Sequence, residues 1–193
     1  MNAPTPPSHE AALEPHNFDA VVVGGGPAGL MAAEVLAQGG ASVHVFDAMP
    51  SVGRKFLLAG KGGLNLTHSE AHAAFASRFA ARQPQIEPML QSFGGPQVCE
   101  WAQGLGVQTF VGTSGRVFPS DMKAAPLLRA WLQRLRAQGV QFHMRHRWQG
   151  WAEDGTLVFA GPTGAVHVRA SAMVLALGGA SWARLGSDGA CGQ

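Results

Sequence analysis

The stretch that decides the fold is "FDAVVVGGGPAGLMAAEVLAQGGASVHVFD", residues 18–47. "FDAVVV" is a short apolar run stopped by glycine, the pattern of a buried parallel strand. "PAGLMAAEVLAQGG" follows with Pro27 suited to a first helical turn and Gly39 and Gly40 marking the stop. Leu30, Ala33, Leu36 and Ala37 form its apolar face. "SVHVF" is a second strand, and Asp47 stands at its carboxyl end. Strand, glycine turn, helix and strand make a βαβ unit. Between them Gly24-Gly25-Gly26-Pro27-Ala28-Gly29 satisfies GxGxxG. By itself that pattern is weak, but here it follows a strand, opens a helix, and is answered by an acid at the next strand end. Gly24 permits the tight turn, Gly26 lets a pyrophosphate approach the backbone, and Gly29 lets helix and strand pack closely. Free amides and the helix dipole favour the anion, while Asp47 accepts hydrogen bonds from a ribose. The expected ligand is a dinucleotide, and Asp47 disfavours one with a 2′-phosphate.

Outward from this unit, 48–66 reads as irregular. Thr67 then opens "THSE", a capping-box pattern in which Glu70 returns a bond to the Thr67 amide, with a helix to about Phe79. Helices are expected near 85–93 and 95–104. "VQTFVGTSGRVFP" reads as a hairpin. "SDMKAAPLLRAWLQRLRAQG" is a helix capped by Ser120 or Asp121, with Leu128, Trp131, Leu132 and Leu135 as its apolar face. "VQFHMRHRW" reads as a third strand, "TLVFAG" and "AVHVRA" as a hairpin across "GPTG", and "AMVLAL" as a last strand running into Gly178 and Gly179.

Composition narrows the function classes. A net charge of +2 is too small to argue for nucleic acid. The cluster of His143, Arg145, His146 and Arg147 reads as a solvated strand or loop rather than a phosphate groove. The two cysteines form no CxxC pair, which argues against dithiol chemistry and a structural zinc site. Residues 1–17 hold four prolines and no lysine or arginine, so they read as a disordered lead-in and not a secretory signal. No stretch approaches a membrane span, and the expected location is the cytoplasm. The histidines show no ligand spacing; His68 and His72 fit an exposed helix face. Ser114 and Ser181 have no local histidine–acid arrangement. No catalytic side chain and no metal ligand is nominated.

FAD and NAD share the ADP half, so the layout of the rest must separate them. A simple NAD domain repeats βαβ at once, whereas this chain inserts 48–139 before its next strand, a hairpin and "VLALGG". That order is similar to an FAD domain of glutathione-reductase type: α/β, a parallel sheet with a small β-excursion, here over 18–193. "VVVGGGPAGLMAAE", "GRKFLLAGKGGLNLTHSE", "SGRVFPSDMKAAPLLRAWL" and "LALGGASWARLGSDGA" together resemble the bacterial BaiN-like, or aminoacetone-oxidase-like, flavoproteins.

The resemblance implies FAD, a small-molecule substrate it does not name, and NAD(P)H as a candidate electron donor. It puts Gly24, Gly26, Pro27, Ala28 and Gly29 on the pyrophosphate and Asp47 on the ribose. Arg54 and Lys55 fall in the segment after this acid, where a cation neutralises phosphate or contacts the ribose; a solvated pair is the alternative. "AGKGGLNLTH" resembles the family's second glycine loop through Gly60, Gly62, Asn65 and Thr67, departing from it at Lys61, Gly63, Leu64 and Leu66. Such a loop brings amides up to a flavin ring. Gly178 and Gly179 match the glycine turn that approaches the cofactor. Family members continue past "GSDGA" into a substrate portion and a returning FAD segment. The 193-residue sequence is therefore expected to be an N-terminal portion that binds FAD weakly and turns over nothing efficiently alone. A non-catalytic dinucleotide-binding module and an NAD-dependent dehydrogenase domain stay open as alternatives.

Overall fold

The computed structural model describes residues 15–179. Expectations for residues 1–14 and for the stretch from Ala180 onward, Ser181 included, lie outside the described residues. The chain opens with β1 (His16–Val23), α1 (Pro27–Gln38) and β2 (Val43–Asp47). Next come α2 (Arg54–Ala59), β3 (Thr67–His68), α3 (His72–Ser77), α4 (Gln83–Ser92) and α5 (Gly95–Gly104). After these lie β4 (Thr109–Val111), β5 (Arg116–Pro119) and α6 (Ala124–Ala137). The last described elements are β6 (Gln141–Met144), β7 (Arg147–Trp151), β8 (Leu157–Gly161) and β9 (Gly164–Leu175). They fall into two compact units, one built from the chain up to Val52 and again from Val140, the other from Gly53–Gly139.

The first unit is a six-stranded sheet in the order β6-β2-β1-β9-β8-β7. Pairs β6–β2, β2–β1 and β1–β9 are parallel, and β9–β8 and β8–β7 are antiparallel. Val21, Val22, Val23, Val43, Val45 and Phe46 are buried, as expected of central strands covered on both faces. α1 packs on β1 and β2 and buries Leu30, Ala33 and also Glu34, in place of the expected Leu36 and Ala37. Val21, Val23 and Phe46 form a core cluster with Leu157 and Phe159 of β8 and Val168 of β9. This is the α/β domain with a parallel sheet and a β-excursion that the sequence led us to expect.

Several boundaries differ. The first strand begins at His16, two residues before Phe18. The second arm of the hairpin and the "AMVLAL" strand are one strand, β9: it runs antiparallel to β8 up to Val168 and parallel to β1 from Val168 onward. "RASA" between them has no glycine or proline to stop it. Conversely, "VQFHMRHRW" breaks into β6 and β7 at Arg145, which has φ 61°. There the Arg145 amide donates to the Met49 carbonyl and the His146 amide to the Asp47 carbonyl, at 3.1 and 2.9 Å.

The second unit holds a three-stranded antiparallel sheet, β3-β5-β4, and helices α2 to α6. The stretch expected to be irregular contains α2 and a 3₁₀ turn at Gly60–Gly62. Thr67 does not cap a helix. It pairs with Val117 of β5, so its backbone bonds belong to a sheet ladder, and the helix starts only at His72. Glu70 instead receives Arg78, at 2.9 Å. α6 has no side-chain cap; the Asp121 carboxylate accepts the Lys123 amide at 3.0 Å, just ahead of the helix. Its buried face is Leu127, Leu128, Trp131 and Leu135, with Trp101 edge-on to Trp131 at 4.7 Å. Leu127 thus takes the place expected of Leu132.

Candidate dinucleotide-binding site

The glycine loop between β1 and α1 is held by the chain at both ends and bare in the middle. Gly24 has φ 108°, a left-handed value that glycine alone adopts cheaply. Its amide donates to the Phe46 carbonyl at 2.8 Å. A Cβ on Gly24 would stand 2.3 Å from the Ala176 carbonyl oxygen, and one on Gly29 would stand 1.8 Å from the Gly24 carbonyl oxygen. These two glycines let helix and strand meet. Gly26, the N-cap of α1, is different: among the described residues, a Cβ there would meet no atom within 4 Å. Pro27 and Ala28 after it are exposed.

The Leu30 amide closes the first helical bond, onto Gly26 at 2.9 Å. The amides of Ala28 and Gly29 ahead of it have no acceptor within the helix, and no acidic side chain sits in this first turn. The positive end of α1 is therefore uncompensated beside a surface stripped of side chain. That combination accepts an anion.

Asp47 ends β2 next to this loop. One carboxylate oxygen accepts the Gly25 amide and the other the Met49 amide, each at 2.7 Å. A carboxylate has about four acceptor sites, so two remain for hydroxyl donors. Gly25, which the motif does not require, is as constrained as Gly24 and Gly29: a Cβ would lie 2.2 Å from Val52 Cγ1. β9 leaves the sheet through Ala176, whose amide bonds the Val23 carbonyl at 2.8 Å, and Gly178 then turns with φ 74°. Among the described residues, a Cβ on Gly179 would meet no atom within 4 Å. Gly24 to Gly29, Asp47, Gly178 and Gly179 thus all follow the carboxyl ends of three neighbouring strands, β1, β2 and β9. Gly25 and Ala176 escaped the sequence reading because their partners arrive from distant parts of the chain.

The remaining candidates belong to the second unit. Gly53 enters α2 in the left-handed region, φ 70°, and Arg54 and Lys55 form the first turn, both half-buried. Among the described residues, Arg54 Nε is buried with no hydrogen-bond partner. Gly60 is a packing glycine, since a Cβ would lie 2.5 Å from Ala124 Cβ. Gly62 has open space around it, and Lys61 and Asn65 are exposed. Gly63 carries the real backbone constraint of this loop, with φ 114°.

The histidines also differ from expectation. His68 lies in β3, its ring bonded to the Ser114 carbonyl and to the Glu70 amide at 3.0 and 3.1 Å. His143, expected on a solvated segment, is half-buried and stacks on Phe46 at 4.3 Å. Among the described residues, no three His, Cys, Asp or Glu side chains come together as a metal site. No helix among them is long and apolar enough to cross a membrane.

The residues of the first unit fit a bound dinucleotide: a bare Gly26 at an uncompensated helix end, and an acid with spare acceptor sites. Comparison with known proteins agrees. No curated protein matches the sequence. Among solved structures, the chain is similar to 3-ketosteroid-Δ4-(5α)-dehydrogenase from Rhodococcus jostii RHA1, with TM-score 0.67 and 18% identity over 88% of this chain and 47% of that one. It is also similar to THI4 from Thermovibrio ammonificans, with TM-score 0.57 and 20% identity over 84% and 58%. A third is the Mycobacterium smegmatis Sdh1 complex, with TM-score 0.59 and 19% identity over 87% and 35%. At such identities the likeness is one of fold, and the chain spans about half the length of the first. The sequence match is wider: residues 18–193 fit the model of the HI0933-like protein Rossmann domain, and the chain belongs to that family, whose dinucleotide is FAD.

Proposed function

We propose that this chain is the FAD-binding part of a flavin-dependent oxidoreductase acting on a small molecule, with NAD(P)H as electron donor. The observation that carries the proposal is the bare face of Gly26 between two glycines that the fold locks in place. In this reading the pyrophosphate lies on Gly24, Gly26, Pro27, Ala28 and Gly29, and Asp47 uses its two spare acceptor sites for ribose hydroxyls. Gly178 and Gly179 form the turn that approaches the cofactor. Arg54 and Lys55 are assigned to supply positive charge for phosphate. Gly60, Gly62 and Asn65 are assigned to the flavin-side loop, where Gly60 acts through its fit against Ala124. When bound, FAD supplies the hydride chemistry itself, so the chain's part is to bind, orient and neutralise. A reducing, cytoplasmic setting agrees with the cysteine usage.

The test is equilibrium titration of the protein with FAD, NAD⁺ and NADP⁺, alongside a Gly26→Val variant. FAD is expected to bind most tightly. Gly26→Val should lower its affinity at least about tenfold while melting within about 2 °C of the parent. Tighter binding of NAD⁺ would convert the reading to an NAD-dependent domain. Unchanged FAD affinity in Gly26→Val would overturn the assignment of the loop.

A further inference from the structure

The edge strand β6 is paired with β2 by a short parallel ladder and tied to it further by two imidazoles. His44 Nδ1 and His143 Nε2 lie 2.9 Å apart, so one N–H must sit between them. The pair is part of a continuous stack. Phe18 lies on His44 at 3.5 Å, His44 on His143 at 5.2 Å, and His143 on Phe46 at 4.3 Å. His146 stands edge-on to His143 at 6.0 Å, and His16 stacks on Phe18 at 6.1 Å. Three strands contribute rings, and β6 is the last strand of the described sheet on this side. β6 then runs into Arg145 and His146, whose amides hold the Met49 and Asp47 carbonyls. What fixes β6 therefore also braces the turn that presents Asp47.

We propose that the His44–His143 pair is a proton-operated latch that holds β6, and with it the Asp47 turn, when neutral or singly protonated and releases them when doubly protonated. The first proton leaves one facing nitrogen as donor and the other as acceptor, so the bond survives. The second proton makes both facing nitrogens donors, and two cations then share one stack, His44 buried and His143 half-buried. The protons come from solvent.

The surroundings decide the order. Burial lowers the affinity of His44 for a proton, the Asp19 carboxylate opposes this, and His16 adds to it. Burial pushes His143 down to about 4, helped by His44, His146 and His16, with no carboxylate among the causes. His44 is thus the first to charge, against Phe18, and His143 the second. The sign follows from linkage. A histidine depressed in the folded state favours folding above its ordinary value of 6.5, and that contribution is lost as pH falls towards about 4. In that window the free strand binds a proton that the latched strand refuses, shifting the latch up to about tenfold per pH unit.

The test follows the imidazole Cε1–Hε1 resonances of the whole protein by NMR, with amide exchange of β6. His143 is expected to titrate near 4, and the Arg145 and His146 amides should lose protection as His143 charges. His143→Phe, which keeps a ring against Phe46, should remove this acid-linked step. A His143 midpoint near its ordinary 6.5 with β6 protection unchanged overturns the latch, and the wild-type titration decides even if the variant fails to fold. The consequence for the ligand rests on the function proposed above: FAD affinity should fall over the same window in the parent and not in His143→Phe. If FAD does not bind at all, the resonances and exchange still report the latch, so the two failures are distinguishable.

Discussion

Gly24 and Gly26 look alike in the motif and do opposite things. Gly24 faces the chain, with φ 108° and the Ala176 carbonyl 2.3 Å from any added Cβ, whereas Gly26 faces open space. Gly24→Ala should therefore cost stability, about 2–4 kcal/mol from backbone strain plus a clash with a carbonyl that cannot move freely. Thermal or denaturant unfolding measures this, and a loss under 1 kcal/mol would mean the turn is softer than the geometry implies. Asp47→Asn probes the neighbouring carboxylate. Its two oxygens each accept a backbone amide, so the new NH₂ must face a donor at Gly25 or Met49. About 1–3 kcal/mol should be lost without any ligand, since a hydrogen bond becomes two opposed donors. Unfolding of the ligand-free protein checks this separately from affinity. The spacing of Gly24, Gly26, Gly29 and Asp47 was legible because local geometry sets it. Gly25 was not, because the Val52 methyl that crowds it is brought there by a later turn.

At the level of elements, legibility followed the range of the deciding contact. β1, α1 and β2 carry their signals within themselves: apolar runs, a proline start and a glycine stop. α6 did too, through its apolar face. β3 could not be read, because Thr67-His68 matches a helix-start pattern locally and becomes a strand only when Val117 and Arg116 arrive beside it. The helix "RKFLLA" was hidden by flanking glycines, of which Gly53 supplies a left-handed entry rather than a break. The stacked histidines were hidden likewise, since only the assembled sheet lays His44 on Phe18 and His143 on Phe46. β9 shows the same lesson with an energetic consequence. Val168 is fully buried at the residue where β9 changes from antiparallel pairing with Leu157 to parallel pairing with His16. Val168→Ala should cost about 2–3 kcal/mol, from two lost methyl groups plus a cavity. Val166→Ala, at a half-buried site two residues earlier, should cost about half that or less. Equal losses in the two variants would deny Val168 its place as the junction of parallel sheet and excursion.

At the scale of the whole molecule, the chain leaves one unit at Val52 and returns to it at Val140. Both crossings are marked by a left-handed glycine, Gly53 with φ 70° and Gly139 with φ 84°. Each unit also has a core of its own. The first is built on Val21, Val23, Phe46 and Phe159, the second on Leu64, Ala102, Ala124 and Leu127 with Trp101 packed against them. Trp131, buried against Trp101 and Phe56, anchors the second unit. Separate cores predict separate opening free energies, because local unfolding follows contiguous cooperative units. Trp131→Ala should remove about 3–5 kcal/mol by leaving a large cavity. Hydrogen exchange of the variant should then lose protection across α5, α6 and β5, while amides of β1, β2 and β9 keep the parent's rates. If β1 and β9 lose protection by the same factor, the two units open as one, and the cores are energetically a single body despite their separate residues.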